Sequence, residues 1–202
     1  GSEMCIRDRL NLFKKISKKT KKIDALINNV GVAGPTGSLD KLKSKDWEKT
    51  IQIDVNSHFY FTKKAIPLIK KSRNGSIINI SSVQGLQSQK LVPPYAASKG
   101  AVISLTRQMS LDYIKSNIRV NTINPGAFDT PLVRKSITGN IEDSLDSLGE
   151  IIPLGRVGQI HEIGHVASFL CTDKASYISG EFINVDGGIM AKGGWDADLQ
   201  GE

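Results

Sequence analysis

The sequence predicts an α/β fold whose strands form one parallel sheet. Short apolar segments alternate with longer amphipathic segments along most of the 202 residues. Short apolar runs are typical of buried strands, and strands that alternate with helices form βαβ units. The chain has no internal repeat and no low-complexity segment, so we expect a single domain.

The N-terminal half is expected to supply two helices and two strands. Residues 11–22 fit an amphipathic helix, and residues 23–30 fit an apolar strand. A long helix is predicted over residues 45–71, and residues 76–82 fit a second buried strand. The predicted apolar face of the long helix follows a four-residue spacing through Trp47, Ile51, Val55 and Phe59.

The C-terminal half continues the alternation. We expect a helix over residues 95–116, a strand over 118–124, a helix near 160–171 and a last strand over 181–188. The variable, partly acidic stretch 136–150 gives no clear pattern. Parallel strands joined in this way are expected to have right-handed connections.

The composition favours a soluble globular protein and excludes several other classes. Hydrophobic residues make up 39% of the chain and charged residues 23%. No apolar run is long enough to span a bilayer, and two cysteines make no disulfide framework. We therefore expect a cytoplasmic protein without a membrane partner. Residues 1–9 show no structural pattern and are interpreted as a non-native, artefactual segment, and residues 191–202 as a C-terminal tail.

A run of lysines carries much of the formal net charge of +7. Such a run can be the footprint of a nucleic-acid-binding protein. The alternative is the solvated face of an amphipathic helix, because Leu12, Phe13 and Ile16 supply an apolar stripe between the lysines. No aromatic or arginine-rich nucleic-acid module accompanies the run, so we expect no nucleic-acid partner. Its members are Lys14, Lys15, Lys18, Lys19, Lys21 and Lys22.

Tyr95 and Lys99 are the first candidate site residues. They lie four residues apart on a predicted helix and hence share one face. A phenol is a poor acid or base near neutral pH, because its ordinary pKa is about 10. A neighbouring cation stabilises the phenolate, so we expect Lys99 to lower the pKa of Tyr95 and to suit it to proton transfer. By itself the pair is a weak signal.

The surrounding sequence makes the signal specific. The segments GSIINISSVQG (75–85) and PPYAASKGA (93–101) together resemble the active-site region of classical short-chain dehydrogenases/reductases. The resemblance assigns a catalytic serine thirteen residues before the tyrosine, which is Ser82, and a catalytic asparagine in the preceding long helix, which is Asn56. The neighbouring Ser81 is interpreted as an inward or capping hydroxyl at the strand end.

Further segments resemble the same family in the same order. The segment INNVG (27–31) resembles an element beside the cofactor, and NPGAFDTPL (124–132) resembles the loop that contacts the nicotinamide carboxamide. Residues 151–188 resemble the C-terminal helix and last strand of the family, so the resemblance covers about residues 11–190. The cofactor-binding residues that it implies, besides Tyr95 and Lys99, are Asn28, Gly31, Pro125, Gly126, Phe128 through its backbone and Thr130 through its hydroxyl.

The resemblance implies a Rossmann-like, doubly wound parallel sheet and an NAD- or NADP-dependent oxidoreductase. Such an enzyme interconverts a secondary alcohol and a ketone: Tyr95 exchanges the proton, Ser82 orients the substrate oxygen and Asn56 helps to hold a water that relays protons to Lys99. The implied partners are a small-molecule alcohol or carbonyl substrate and further copies of the chain, in a dimer or tetramer. The polar loop 83–94 favours a small hydroxylated substrate over ketoacyl thioesters and steroid-like alcohols.

One part of the family's pattern is missing. The glycine-rich fingerprint Thr-Gly-x-x-x-Gly-x-Gly, which binds pyrophosphate, does not occur. We therefore expect a chain of the family that lacks its first three strands, in residues 10–190. It is interpreted as part of an active dehydrogenase, or else as a gene fragment or short form without cofactor binding that acts as a scaffold. An exposed apolar edge strand would make this chain poorly stable or prone to aggregation.

Residues 161–165 offer a different chemistry. The sequence HEIGH fits the His-Glu-x-x-His pattern of zinc hydrolases, in which His161 and His165 share a helix face and Glu162 acts as a base. Glu181 is the obvious candidate for a third ligand. Because this segment lies inside the family's C-terminal pattern, we expect no metal site, and zinc hydrolysis stays a remote alternative.

Overall fold

The computed structural model describes residues 12–136 and 140–192. The predictions for residues 1–9 lie outside the described residues, and so does most of the predicted C-terminal tail. No helix within the described ranges is long and apolar enough to cross a membrane.

A single parallel sheet organises the described residues. Its strands are β1 (Ala25–Asn28), β2 (Gly75–Ile80), β3 (Ile118–Pro125) and β4 (Phe182–Val185), and they pair in that order. The two central strands are buried along almost their whole length, as expected for a parallel sheet that is covered on both faces. The predicted α/β class and all four predicted strands are confirmed.

Helices connect these strands, together with four short 3-10 turns among the described residues. The turns are Leu39–Lys41, Val83–Gly85, Ile114–Ser116 and Asp173–Ala175. The helices are α1 (12–19), α2 (Ser44–Asp54), α3 (Asn56–Ile69), α4 (Pro93–Tyr113), α5 (Pro131–Ser136), α6 (Ile141–Glu150) and α7 (Ile160–Leu170).

The sheet is covered on both faces, so the doubly wound architecture is confirmed. Successive residues of a strand point to opposite faces, and Ile77 and Ile78 of β2 accordingly belong to two different core clusters. The cluster around Ile77 includes Phe13, Ala65 and Met109, which come from α1, α3 and α4. The cluster around Ile78 lies against α7.

The lysine-rich helix α1 is amphipathic, as the second interpretation of its charge predicts. Phe13 is buried and Ile16 packs against the same core cluster, whereas the lysines of α1 are exposed. Leu12, which was expected in the apolar stripe, is 44% exposed. The charge run is therefore the solvated side of a helix that packs on the sheet.

The long helix predicted over 45–71 is two helices. Val55 separates α2 from α3, and the predicted apolar face is wrong because Phe59 is 48% exposed. The inward face of the two helices includes polar side chains, of which Asp54 and Thr62 form hydrogen bonds with neighbouring elements. The buried polar residues of the two helices are Thr50, Asp54, Ser57, His58 and Thr62.

The stretch 136–150, for which no structure was predicted, contains α6. Its N-cap is Asn140, whose side-chain oxygen accepts a hydrogen bond from the N–H of Glu142 at 3.0 Å. Leu145 and Gly149 are its buried residues. Only two buried positions in ten residues make the helical period hard to recognise in the sequence.

Candidate active site

The first groups of the site follow the C-terminal end of β2. The hydroxyl of Ser82 caps the Val83–Gly85 turn and accepts a hydrogen bond from the N–H of Gln84 at 3.2 Å. Ser81 points inward, as predicted, and its hydroxyl donates to the carbonyl oxygen of Lys99 at 2.7 Å. A Cβ on Gly85 would lie 2.7 Å from the carbonyl carbon of Lys99, so a glycine lets this turn pack directly on α4.

The next groups lie in the first two turns of α4. Proline at its first position suits a helix start, because its missing N–H would have no intrahelical partner there. The Ser82 hydroxyl lies close enough to that of Tyr95 to lower the pKa of the phenol. The ammonium of Lys99 is buried, lies 5.5 Å from the centroid of the Tyr95 ring and donates to the carbonyl oxygen of Ile80 at 3.3 Å. The structure therefore brings Ser82, Tyr95 and Lys99 together.

The expected lowering of the Tyr95 pKa is wrong for this structure. Burial raises the pKa of Tyr95, the hydrogen bond from Ser82 lowers it in part, and the negative charge of Asp54 raises it further. Burial also lowers the pKa of Lys99, while Asp54 opposes that change. Burial is the largest of these effects on Tyr95. The pKa of the phenol is therefore raised, although the Lys99 ammonium lies over its ring.

Asp54 is a charged residue of the site that the sequence analysis missed. It is fully buried, and its Oδ1 accepts a hydrogen bond from the N–H of Val32 at 2.8 Å. Burial raises the pKa of this carboxyl group, whereas Lys99 and its hydrogen bonds lower it. One signal was available: Thr50, Asp54 and His58 form a polar stripe at four-residue spacing, which is unusual for a helix that packs in a core.

Gly31 lies between the two charged groups. The point where its Cβ would lie is 3.1 Å from Lys99 Nζ and 3.7 Å from Asp54 Oδ1. A side chain at this position would have to displace the ammonium by a few tenths of an ångström. The absence of a side chain therefore leaves room for Lys99 and Asp54 to approach the turn after β1.

Two predicted asparagines make contacts of a different kind. Asn28 is buried, and its amide donates to Thr62 Oγ1 at 3.1 Å and to Asn79 Oδ1 at 2.8 Å. Its side chain therefore joins β1 to β2 and α3. Asn56 is the first residue of α3, and its amide donates to Gln52 Oε1 at 2.7 Å. The structure does not record either amide against Ser82, Tyr95 or Lys99.

The predicted carboxamide loop follows β3. After Pro125, the N–H of Gly126 donates to the carbonyl oxygen of Val185 at 2.9 Å, and a Cβ there would lie 2.8 Å from Asp186 Cα. The buried ring of Phe128 packs on Gly158. The two residues also form a parallel bridge, in which the residues before and after Phe128 make the hydrogen bonds to Gly158. In such a bridge the N–H and C=O of Phe128 itself point away from Gly158.

Thr130 ends this loop as the N-cap of α5. Its Oγ1 accepts a hydrogen bond from the N–H of Val133 at 3.2 Å. A hydroxyl that accepts a hydrogen bond still has its own hydrogen to donate. The loop is also tied by Arg134, whose guanidinium donates to Asp129 Oδ2 at 2.7 Å.

The HEIGH segment is the first turn and a half of α7, and Glu162 serves the helix. Its carboxylate accepts bonds from Arg156 at 2.9 and 2.8 Å and from the N–H of Gln159 at 2.7 Å. These bonds lower the pKa of Glu162 to about 2. The rings of His161 and His165 are 5.4 Å apart. Among the described residues no three potential ligands cluster, so Glu181 does not complete a site with them.

Comparison with known proteins identifies the family of the chain. The model of the family described as enoyl-(acyl carrier protein) reductase matches residues 7–190. The 3-oxoacyl-acyl-carrier-protein reductase FabG of Thermotoga maritima is 36% identical over 185 residues, which are 91% of this chain and 73% of that protein. The glucose and ribitol dehydrogenase homologue of Oryza sativa is 33% identical over 177 residues, 85% of this chain and 58% of that protein.

Solved structures have the same fold. The aldohexose dehydrogenase of Thermoplasma acidophilum superposes with a TM-score of 0.89 at 33% identity, covering 94% of this chain and 76% of that one. The gluconate 5-dehydrogenase of Burkholderia cenocepacia, in complex with NADP and tartrate, gives 0.82 at 30% identity over 90% and 70% of the two chains. By sequence and by fold, the chain belongs to the short-chain dehydrogenase/reductase family of oxidoreductases.

Proposed function

We propose that this oxidoreductase uses NAD or NADP to interconvert a secondary alcohol and a ketone, with Tyr95 as the proton-exchanging group. The observation that carries the proposal is the cluster at the C-terminal end of β2. There the buried ammonium of Lys99 lies over the Tyr95 ring, and the Ser82 hydroxyl is close enough to lower the pKa of Tyr95.

The proton chemistry favours ketone reduction near neutral pH. Burial raises the pKa of Tyr95, so the phenol keeps its proton and is ready to donate it to a carbonyl oxygen. Ser82 accepts a hydrogen bond from Gln84, which leaves its own hydrogen for the same substrate oxygen. Two donors at one oxygen stabilise the negative charge that develops there when the carbonyl is reduced.

The residues around the cluster fit a nicotinamide cofactor. The backbone of Phe128 faces away from its Gly158 bridge, and the hydroxyl of Thr130 keeps a hydrogen to donate, so both suit a carboxamide. Pro125 and Gly126 carry the chain into this loop, and Gly31 leaves space beside Lys99. Asn28 would act by fixing the turn that holds Gly31. When bound, the cofactor supplies the hydride.

Asn56 is proposed to complete the catalytic set from the start of α3. Its amide nitrogen donates to Gln52, so the oxygens of Asn56, in the side chain and the backbone, are the atoms proposed to hold the water that relays protons to Lys99. Asn56→Ala should then retain more activity than Tyr95→Phe, because the backbone oxygen is unchanged. Equal losses in the two variants would argue for a direct role of the amide.

A small hydroxylated substrate is the class that the loop 83–94 favours. The Oε1 of Gln84 is buried, and no donor among the described residues bonds to it. A buried acceptor of this kind, two residues after Ser82, suits a substrate hydroxyl. Gln84→Leu should therefore raise KM for a polyol or sugar more than for a simple cyclic ketone, and equal KM changes would speak against this substrate class.

A homo-oligomer, dimer or tetramer, is proposed from the outer faces of α3 and α4. Phe59 of α3, Leu111 of α4 and Ile114 in the turn after α4 expose large apolar side chains, 48%, 73% and 46% exposed respectively. Exposed apolar side chains of this size are typical of protein interfaces when they form one patch. Leu111→Lys should lower the molar mass measured by light scattering, whereas an unchanged mass would exclude this face.

The cofactor and substrate are tested together by following NADH or NADPH oxidation with a panel of ketones. The panel contains keto-sugars, keto-acids, a 3-ketoacyl thioester and a steroid ketone. Turnover with at least one member supports the proposal. A chain that binds neither cofactor, measured by the quenching of its Trp47 fluorescence and by calorimetry, would instead support the scaffold interpretation.

A further inference from the structure

A buried carboxylate lies behind the proposed catalytic groups. Asp54 is the last residue of α2 and is fully buried. One oxygen accepts from the N–H of Val32 at 2.8 Å, and the other accepts from the hydroxyl of Ser98 at 3.1 Å. The carboxylate thus joins α2 to the turn after β1 and to α4, at the residue that precedes Lys99.

The titratable groups that face this carboxylate come from α3 and α4. On α4 they are Lys99, which it attracts, and Tyr95, whose ionisation it opposes. On α3 it is His58, whose pKa burial lowers to about 4, so the imidazole is neutral near pH 7. Among the described residues around Asp54, the positive charge is therefore that of Lys99.

We propose that Asp54 is a positioning residue for Lys99, keeping its ammonium charged and held over Tyr95. The inference rests on the proposed function, in which Lys99 serves Tyr95. A lysine that is 4% exposed loses most of its hydration, and desolvation favours its neutral form. The ammonium bonds to the carbonyl of Ile80. Lys99 Nζ and Asp54 Oδ1 both lie beside Gly31, 3.1 and 3.7 Å from its Cβ position, so the carboxylate is close enough to oppose deprotonation of the ammonium.

The Asp54→Asn variant removes the negative charge of the carboxylate and can keep its two hydrogen bonds. Its carbonyl oxygen can still accept from Val32, and its amide can donate to the hydroxyl oxygen of Ser98. Thr50 is the matched control, because it is buried one turn earlier on α2 and also packs under the turn after β1. A Cβ on Gly34 would lie 2.7 Å from its Oγ1. Thr50→Val removes a buried polar group without removing a charge.

The first experiment measures stability in urea at pH 7 for the wild type, Asp54→Asn, Lys99→Met and the double variant. If Asp54 acts through Lys99, Asp54→Asn lowers the unfolding midpoint in the wild type. It raises the midpoint in the Lys99→Met background, where the carboxylate is buried without its cation. Thr50→Val should shift the midpoint equally in both backgrounds. Should Lys99→Met fail to fold, Lys99→Gln takes its place in the cycle.

The second experiment compares the pH profiles of ketone reduction. Because Asp54 raises the pKa of Lys99 and of Tyr95, Asp54→Asn should move the alkaline limb to lower pH, while Thr50→Val leaves the limb in place. A profile that keeps its shape and only loses height would overturn the proposal. So would equal midpoint shifts for Asp54→Asn in both backgrounds. If neither the wild type nor any variant is active, the dehydrogenase assignment is refuted. The role of Asp54 toward Lys99 is then still tested by the urea midpoints, which need no turnover.

Discussion

The hydroxyl of Ser81 donates a hydrogen bond of 2.7 Å to the carbonyl oxygen of Lys99. This bond links the end of β2 to the second turn of α4, and Gly85 lets the backbone of the next turn touch the same point. Ser82 directly follows Ser81 after the end of β2, and Tyr95 and Lys99 lie on α4. The distance between the proposed proton donor and its hydroxyl partner is therefore fixed by backbone contacts, not by the reacting side chains themselves.

Neighbouring serines should accordingly have opposite effects. Ser81→Ala removes a buried hydrogen bond, so we expect the free energy of unfolding to fall by about 1 kcal/mol, with a moderate loss of kcat because α4 is less firmly held. Ser82→Ala should change stability less but lower kcat strongly, since Ser82 is proposed to orient the reacting oxygen. Urea unfolding and steady-state kinetics of the two variants measure the difference. Equal stability with equal kinetic loss would contradict this division.

The contact between Phe128 and Gly158 can be used to test whether the loop after β3 binds the cofactor. A Cβ on Gly158 would lie 2.3 Å from the Phe128 ring, so Gly158→Ala must displace the ring and the loop. We expect a stability loss of about 1–3 kcal/mol and a raised KM for the nicotinamide cofactor. Gly164 of α7 is the matched control, because nothing lies within 4 Å of its Cβ position.

Gly164→Ala should be neutral or stabilise by up to about 1 kcal/mol, since alanine favours a helix over glycine. Thermal unfolding and cofactor titration of both variants give the comparison. If Gly158→Ala and Gly164→Ala bind the cofactor equally well, the loop at Phe128 does not contact it.

The lowered pKa of Glu162 predicts that the free energy of unfolding depends on pH. Its bonds to Arg156 and Gln159 lower its pKa from 4.5 to about 2 in the folded chain. The stabilisation is therefore present above the unfolded pKa and is lost as the pH falls toward 2. Glu162→Gln removes this contribution, so its urea midpoint should fall less than that of the wild type between about pH 5 and about pH 3. Parallel pH curves for the two proteins would show that the carboxylate is not stabilised in this way.

How much the sequence could predict differs between elements. The apolar run at 76–82 predicts a strand because a parallel sheet buries both faces of its central strands. The helix around Asp54 is different, because its inward face is polar and pairs with Ser98 and Lys99 from a segment more than forty residues away. Periodicity identifies an apolar face, whereas a polar stripe such as Thr50, Asp54 and His58 has the same spacing as a solvated face.

The candidate site shows the same division. Helix spacing placed Tyr95 and Lys99 on one face, and the family resemblance added Ser82. Neither identified Asp54, and the helix spacing gave the wrong direction for the Tyr95 pKa. Both depend on burial and on charges that only the folded chain brings together.

The central claim is that Tyr95 donates and accepts the proton in a nicotinamide-dependent reaction. Tyr95→Phe removes the reacting hydroxyl and keeps the ring over which Lys99 lies. The decisive measurement is kcat/KM for ketone reduction by Tyr95→Phe, with cofactor affinity and the urea midpoint as controls. We expect a loss of roughly 100-fold to 10,000-fold in a variant that folds and binds the cofactor as the wild type does. A folded, cofactor-binding Tyr95→Phe variant that keeps wild-type kcat/KM would contradict the account.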